Sequence, residues 1–203
     1  MGPLLSDPLF DILFIALASA IIYNLWQLRN RNATWKKLMS DLNFSAVENK
    51  KGRDKETGIS GVYQKRQISL METNVPVIRN GKSKTNFFTN AATVVKVNFD
   101  NASAKKLVIS RNIPRWTSNG EQNTIGDKEI DRIFIVSSEP EDLAKNILTR
   151  TDIHDKALEI NSGCLIEIIE NEIRYDQSGR MTDPEKIVFL FDFLCALARA
   201  LEA

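Results

Sequence analysis

The chain has 203 residues, long enough for one membrane segment plus one domain of roughly 160 residues. Its 43% hydrophobic and 26% charged residues describe a globular chain and exclude a disordered one. The net charge of +1 hides a polarity: Gln27 to Arg115 holds 18 Lys/Arg against 6 Asp/Glu, and Trp116 to Ala203 holds 9 against 18.

Residues 12–28 carry no charge, and Leu9 and Phe10 bring the apolar run close to the 20 or so residues that span ~30 Å of hydrocarbon. Tyr23 and Trp26 stand at its far end, where an aromatic belt belongs, and Arg29, Arg31, Lys36 and Lys37 follow. No Lys or Arg precedes Arg29. The positive-inside rule then gives a short extracytoplasmic stretch (1–8), a transmembrane helix (9–28) and a cytoplasmic domain (33–203). A secretory signal is the rival, because Ala18-Ser19-Ala20 fits an A-x-A cleavage site. It is disfavoured by two acids and no base ahead of the run, and by Ile21-Ile22-Tyr23 continuing past the cut. A buried soluble helix is the third reading. The charge asymmetry selects the single-pass anchor.

Beyond the anchor, Trp35, Leu38, Met39 and Leu42 recur at helical spacing, with Thr34 as a plausible N-cap. Residues 47–58 read as a charged loop. "GISGVYQ" and "RQISLMET", joined at Lys65-Arg66, read as a hairpin. Residues 85–99 and 105–112 read as a second hairpin turning through Asp100-Asn101. A polar loop (112–129) leads to a short central strand (132–136). Ser138-Glu139-Pro140-Glu141 reads as a capping box opening one helix to Ile160, and Thr182-Asp183-Pro184-Glu185 repeats the device before the last helix. Between them lies a third hairpin around Glu170-Asn171. The expected fold is α+β: a transmembrane helix, then a mainly antiparallel sheet of about seven strands covered by helices, one of them C-terminal. Seven strands and a closing helix resemble the pleckstrin-homology-like plan, although here a helix precedes the last hairpin.

Few residues carry a chemical signature. Cys164 and Cys195 show no CxxC or CxC spacing, which argues against zinc or a disulfide scaffold and fits a reducing compartment. Both lie in apolar stretches and read as small buried hydrophobes. His154, the single histidine, is flanked by polar residues and reads as a solvated surface group. Glu139, Glu141 and Asp142 complement a helix dipole. Gly58, Gly61 and Gly81 form no nucleotide fingerprint. No catalytic, metal-binding or cofactor-binding residue emerges, and the chain reads as non-enzymatic, with no cofactor.

What remains is the basic half. Lys50, Lys51, Arg53 and Lys55, then Arg79, Lys82 and Lys84, then Lys105 and Lys106, form a candidate membrane- or partner-facing patch. Tyr23, Trp26, Arg29 and Arg31 form the candidate membrane interface. Each well-placed cation facing anionic headgroups contributes on the order of 1 kcal/mol. Nucleic acid is disfavoured, since the basic residues are not interleaved with exposed aromatics and the tether is to a membrane.

Gly126-Asp127, Phe134, Val136, Ser138, Pro140, Ala144 and Leu148 fit a "GD..FD..F.V.S.DP..A..LL" block. In this the chain resembles a set of uncharacterised bacterial membrane-anchored proteins. Ile130 stands where that block has an aromatic, and one anchor replaces the two that some relatives carry. The resemblance implies a bacterial plasma membrane, or a thylakoid in a photosynthetic host, and supplies no catalytic residues. The expectation is a membrane-tethered scaffold or assembly accessory docking on a membrane protein complex. A pleckstrin-homology-like lipid-headgroup module, or an enzyme whose acidic site is invisible in the sequence, are the alternatives.

Overall fold

The computed structural model describes residues 8–51, 54–76, 89–100, 105–111, 124–161 and 163–203, with side chains left undescribed at 8–11, 49–51, 54–56, 74–76 and 89–90. The chain opens with one unbroken helix, α1 (Pro8–Leu42), of 35 residues. The apolar run and the amphipathic stretch expected as two elements are one, and Arg29–Asn32 are helical. Thr34 is therefore no N-cap: it sits inside α1, where its hydroxyl donates to the Thr182 carbonyl. Asn43 ends the helix with φ 54, and the Phe44 amide bonds back to the Met39 carbonyl at 3.1 Å, a Schellman closure.

Eight strands follow: β1 (Ser45–Lys51), β2 (Asp54–Tyr63), β3 (Arg66–Pro76), β4 (Thr89–Asn98), β5 (Lys106–Arg111), β6 (Phe134–Glu139), β7 (Cys164–Ile169) and β8 (Glu172–Ser178). They form one sheet in the order β1-β2-β3-β4-β8-β7-β5-β6, with every neighbouring pair antiparallel. The fold is α+β, as the patterning predicts. The eighth strand is β1, in the segment read as a charged loop. Its Glu-Asn-Lys-Lys run lacks apolar alternation because an edge strand has one neighbour, and charge there blocks further pairing.

The hairpins β2–β3 and β7–β8 form as expected, but the first turns one residue earlier than read, on Gln64-Lys65, both at positive φ, with Arg66 already paired to Tyr63. The second expected hairpin does not form. β4 pairs with β3 and β8, while β5 pairs with β7 and β6. Adjacent β-rich stretches are easily read as partners, but register is decided by which faces share the core. Ile59–Leu70–Val95–Tyr175–Ile166–Ile109–Val136 runs across the sheet as one row of cross-strand partners, and all seven residues are buried.

The helices lie against this face. α2 (Lys128–Ile133) begins in the last two residues of the segment read as polar loop and runs into the stretch read as a central strand. That strand starts only at Phe134 and lies at the sheet's edge as β6. Asp127 starts the helix, its carboxylate accepting from the Glu129 and Ile130 amides. The single helix expected from Pro140 to Ile160 is two, α3 (Leu143–Leu148) and α4 (Thr151–Glu159). The step of six from Ile147 to Ile153 is out of phase with a 3.6 period, and an extended Arg150 breaks the ladder there. Pro140 lies ahead of α3, and Ser138 Oγ accepts from the Ala144 amide at 3.3 Å rather than closing a capping box.

The last helix, α5 (Pro184–Glu202), starts as the sequence indicates, but Asp183 is the cap, not Thr182. Eleven of its 19 residues are buried, so its all-round apolarity serves the core rather than a second membrane span. Phe191 stacks on Phe44 at 5.8 Å, and Phe44 in turn lies where a Cβ on Gly61 would stand. Each such aromatic or leucine buried contributes roughly 1.5–3 kcal/mol.

Candidate functional site

The two halves of α1 meet different surroundings. Leu38 is buried, and Trp35, Met39 and Leu42 pack on the core. Every large hydrophobic from Ile12 to Trp26 is exposed, Leu13 at 69% and Trp26 at 55%. This is the one described helix long and apolar enough to cross a membrane, and none of its apolar window is buried. From Pro8 to Leu28 it measures ~31 Å at 1.5 Å per residue, the thickness of a hydrocarbon core.

Where the halves join, α1 is bolted to the sheet. Arg31 Nη1 meets Glu72 Oε2 of β3 at 2.9 Å, and Arg180 Nε meets Glu72 Oε1 at 2.6 Å. The side chains of Arg31, Glu72 and Arg180 are 18%, 11% and 21% exposed, so the triad is largely withdrawn from water. The Arg31 guanidinium also lies over the Trp35 ring, 4.7 Å from its centroid. Thr93 of β4 secures the segment after β8, donating to the Gly179 carbonyl at 2.8 Å and accepting from the Met181 amide at 3.0 Å. The Gly179 amide bonds to Ala91 at 2.9 Å, at a φ of +90 that suits glycine.

Just above the triad, a cleft of about 350 Å³ separates α1 from the domain. Tyr23, Asn24 and Gln27 form its helix wall, and Ala91 with Ser178–Arg180 forms the other. The cleft thus lies at the depth of the Tyr23–Trp26 aromatic pair, whose rings are 6.2 Å apart.

Where they are described, the basic residues read from the sequence stand at two separate ends of the sheet. Lys50 stands opposite Lys55, and Lys51 opposite Asp54, at the outer end of the β1–β2 ladder. That end shares its direction along the sheet with Pro76 and Thr89, beyond Glu72 and on the side where the apolar half of α1 leaves. Arg53, Arg79, Lys82 and Lys84 fall outside the described residues, and nothing is described of the Lys50, Lys51 and Lys55 side chains. Lys105 and Lys106 are elsewhere, since β5 runs roughly 16 Å from Lys106 to Arg111 and only Arg111 is near this end. Lys105 donates to the Leu201 carbonyl at the end of α5, and Lys106 pairs with Glu139 at 2.6 Å. Of the interface set, Tyr23, Trp26 and Arg29 are exposed, whereas Arg31 is committed to Glu72. Glu72, Arg180 and Gln27 have no local motif to announce them. Asn24, an amide within an apolar run, is the one visible signal.

The far end of the sheet is stitched differently. Arg66 grips Glu202 with two hydrogen bonds, and the Asp100 amide donates to Glu202 at 3.0 Å. These contacts hold the Glu202 carboxyl down at about 2. Tyr63 donates to Asp192 at 2.8 Å, and burial with that bond pushes its hydroxyl up to about 12. His154 bridges Asp155 and Asp127, each at 3.2 Å, and the Asp155 hydrogen bond leads in raising its pKa. It is more enclosed than a solvated surface histidine, with a side chain 19% exposed.

Both thiols are buried and free, and burial pushes Cys164 up to about 11. That is the opposite of what a nucleophilic cysteine requires. Among the described residues no group of three or more His, Cys, Asp or Glu is placed to hold a metal ion. A second cleft of about 180 Å³ is lined by Ile160, Asn161, Tyr175 and Leu190, and its Asn161 and Tyr175 side chains both donate to Gln177 Oε1.

No protein-family model matches the chain, and no curated protein matches it. Among solved structures it is similar to the crystal structure of the mycobacterial trehalose monomycolate transport factor A, TtfA. The two share 12% identity over 86% of this chain and 92% of that one, with a TM-score of 0.48.

Proposed function

We propose that the chain is a non-enzymatic, membrane-tethered interaction protein whose α+β domain is held against the cytoplasmic face of a bilayer to dock on a membrane protein complex. One observation carries this reading: the apolar half of α1 continues without a break into a half packed on the core, and the Arg31–Glu72–Arg180 triad fixes the junction. A flexible linker would leave the domain free to roam. A fused helix fixes its height and tilt, which suits a part fitted into an assembly. Arg29, Lys36 and Lys37, exposed just beyond the apolar half, favour retention of this end on the cytoplasmic side.

The test is purification of the full chain from native membranes in mild detergent, beside a variant with a Gly-Ser linker inserted after Leu28. The intact chain is expected to bring a reproducible set of membrane-complex subunits, and the linker variant to stay anchored but lose them. Recovery of the intact chain as a clean monomer would end the proposal.

A further inference from the structure

The cleft beside Tyr23 is unlike an ordinary surface groove in three respects. Its lining is mixed in chemistry, with one wall belonging to the apolar helix. It sits directly over a triad in which two guanidinium groups share one carboxylate, so a partly buried site keeps a surplus positive charge. And Arg180 is held by Nε alone: Glu72 fixes that edge of the guanidinium, and no hydrogen bond occupies its two Nη groups among the described residues. A cation withdrawn from water is stabilised by an anion that completes its pairing.

On the reading that the apolar half of α1 spans a bilayer, we infer that this cleft binds the phosphodiester headgroup of an anionic phospholipid. Arg180 is the charged contact, with the Ser178 hydroxyl and the amides of Asn24 and Gln27 around it. Asn24 Nδ2 already donates to the Ala20 carbonyl at 2.9 Å and Gln27 Nε2 to the Tyr23 hydroxyl at 2.8 Å. Each amide therefore keeps a second N–H to offer an anion. The occupant is a lipid rather than a soluble phosphate because exposed Leu17 and Leu13 lie on the same face of the helix as Asn24 and Gln27, about two and three turns nearer its start than Asn24, and offer a surface along which acyl chains lie. A soluble anion has no use for that surface.

The experiment reconstitutes the full chain in nanodiscs of phosphatidylcholine with a minor fraction of phosphatidylglycerol, and counts lipids retained after release into the gas phase. Resistance to alkaline extraction from vesicles is measured in parallel. The wild type is expected to retain phosphatidylglycerol well above its bulk fraction. Arg180→Gln, which leaves Glu72 paired with Arg31, should reduce that enrichment roughly tenfold, the worth of one charge-assisted hydrogen bond. Asn24→Leu with Gln27→Leu, remote from the core, should reduce it too. A chain that resists alkali but retains the two lipids in their bulk ratio, or an Arg180→Gln variant as selective as wild type, would overturn the headgroup site alone. A chain stripped from the vesicles would overturn the membrane reading and the site with it. Inorganic phosphate binding the detergent-solubilised chain as tightly as the lipid would overturn the lipid as ligand.

Discussion

The two halves of α1 share one backbone ladder and differ in everything else. From Ile12 to Trp26 the helix is apolar but for Ser19 and Asn24, and its large hydrophobic side chains stand exposed. Below Arg29 it is amphipathic, and its apolar stripe is spent on the domain. The contrast teaches that a helix apolar all round needs an apolar surrounding, whereas a one-sided stripe needs only a partner. α5 makes the same point from within: it is almost as apolar as the upper half of α1, and the domain itself buries it.

Substitutions break this comparison in a graded way. Leu38→Ala, in the lower half, should destabilise the detergent-solubilised chain to denaturant by about 2–5 kcal/mol, while Leu17→Ala, in the upper half, should stay within about 0.5 kcal/mol. Equal losses would mean that the halves are not distinct. At the junction, Glu72→Gln leaves two largely buried guanidinium groups without their carboxylate and should cost about 1–2 kcal/mol in the same assay.

The far end sharpens the contrast through acid. Glu202 is held at about 2 against an ordinary 4.5, so its stabilisation is present above 4.5 and is lost as pH falls toward and through 2. Glu202→Gln should flatten that acid limb of the stability curve. The smallest effect belongs to His154, whose pKa is raised above 6.5: its stabilisation is complete below 6.5 and disappears as pH rises through the folded value. His154→Gln should therefore remove a slight loss of thermal stability on the alkaline side, and an unchanged pH profile would deny the bridge to Asp155 and Asp127.

Much of this was legible from local signals. Alternation marked β2, β3, β7 and β8, and Asp183-Pro184 marked the start of α5, because such patterns are written within a few residues. What escaped depends on distant partners. β1 carries no alternation, since an edge strand answers to one neighbour. The exchange of partners that seats β4 beside β8 rests on register between residues 80 positions apart, such as Val95 and Tyr175. The junction was hidden for the same reason. Arg31 reads locally as a membrane-flanking cation, but its partner Glu72 lies 41 residues away, and Arg180 lies 108 residues beyond Glu72.

An uninterrupted α1 also acts as a drive shaft. Each residue added to a helix turns the remainder of the chain by ~100° about the helix axis and advances it 1.5 Å. One residue inserted after Leu28 would swing Tyr23, Asn24 and Gln27 away from Ser178–Arg180, and would change the compass bearing of the whole domain about the upper half of the helix. The number of residues between the aromatic pair and Arg31 thus sets which side of the domain would face a neighbour under the proposed membrane-spanning reading.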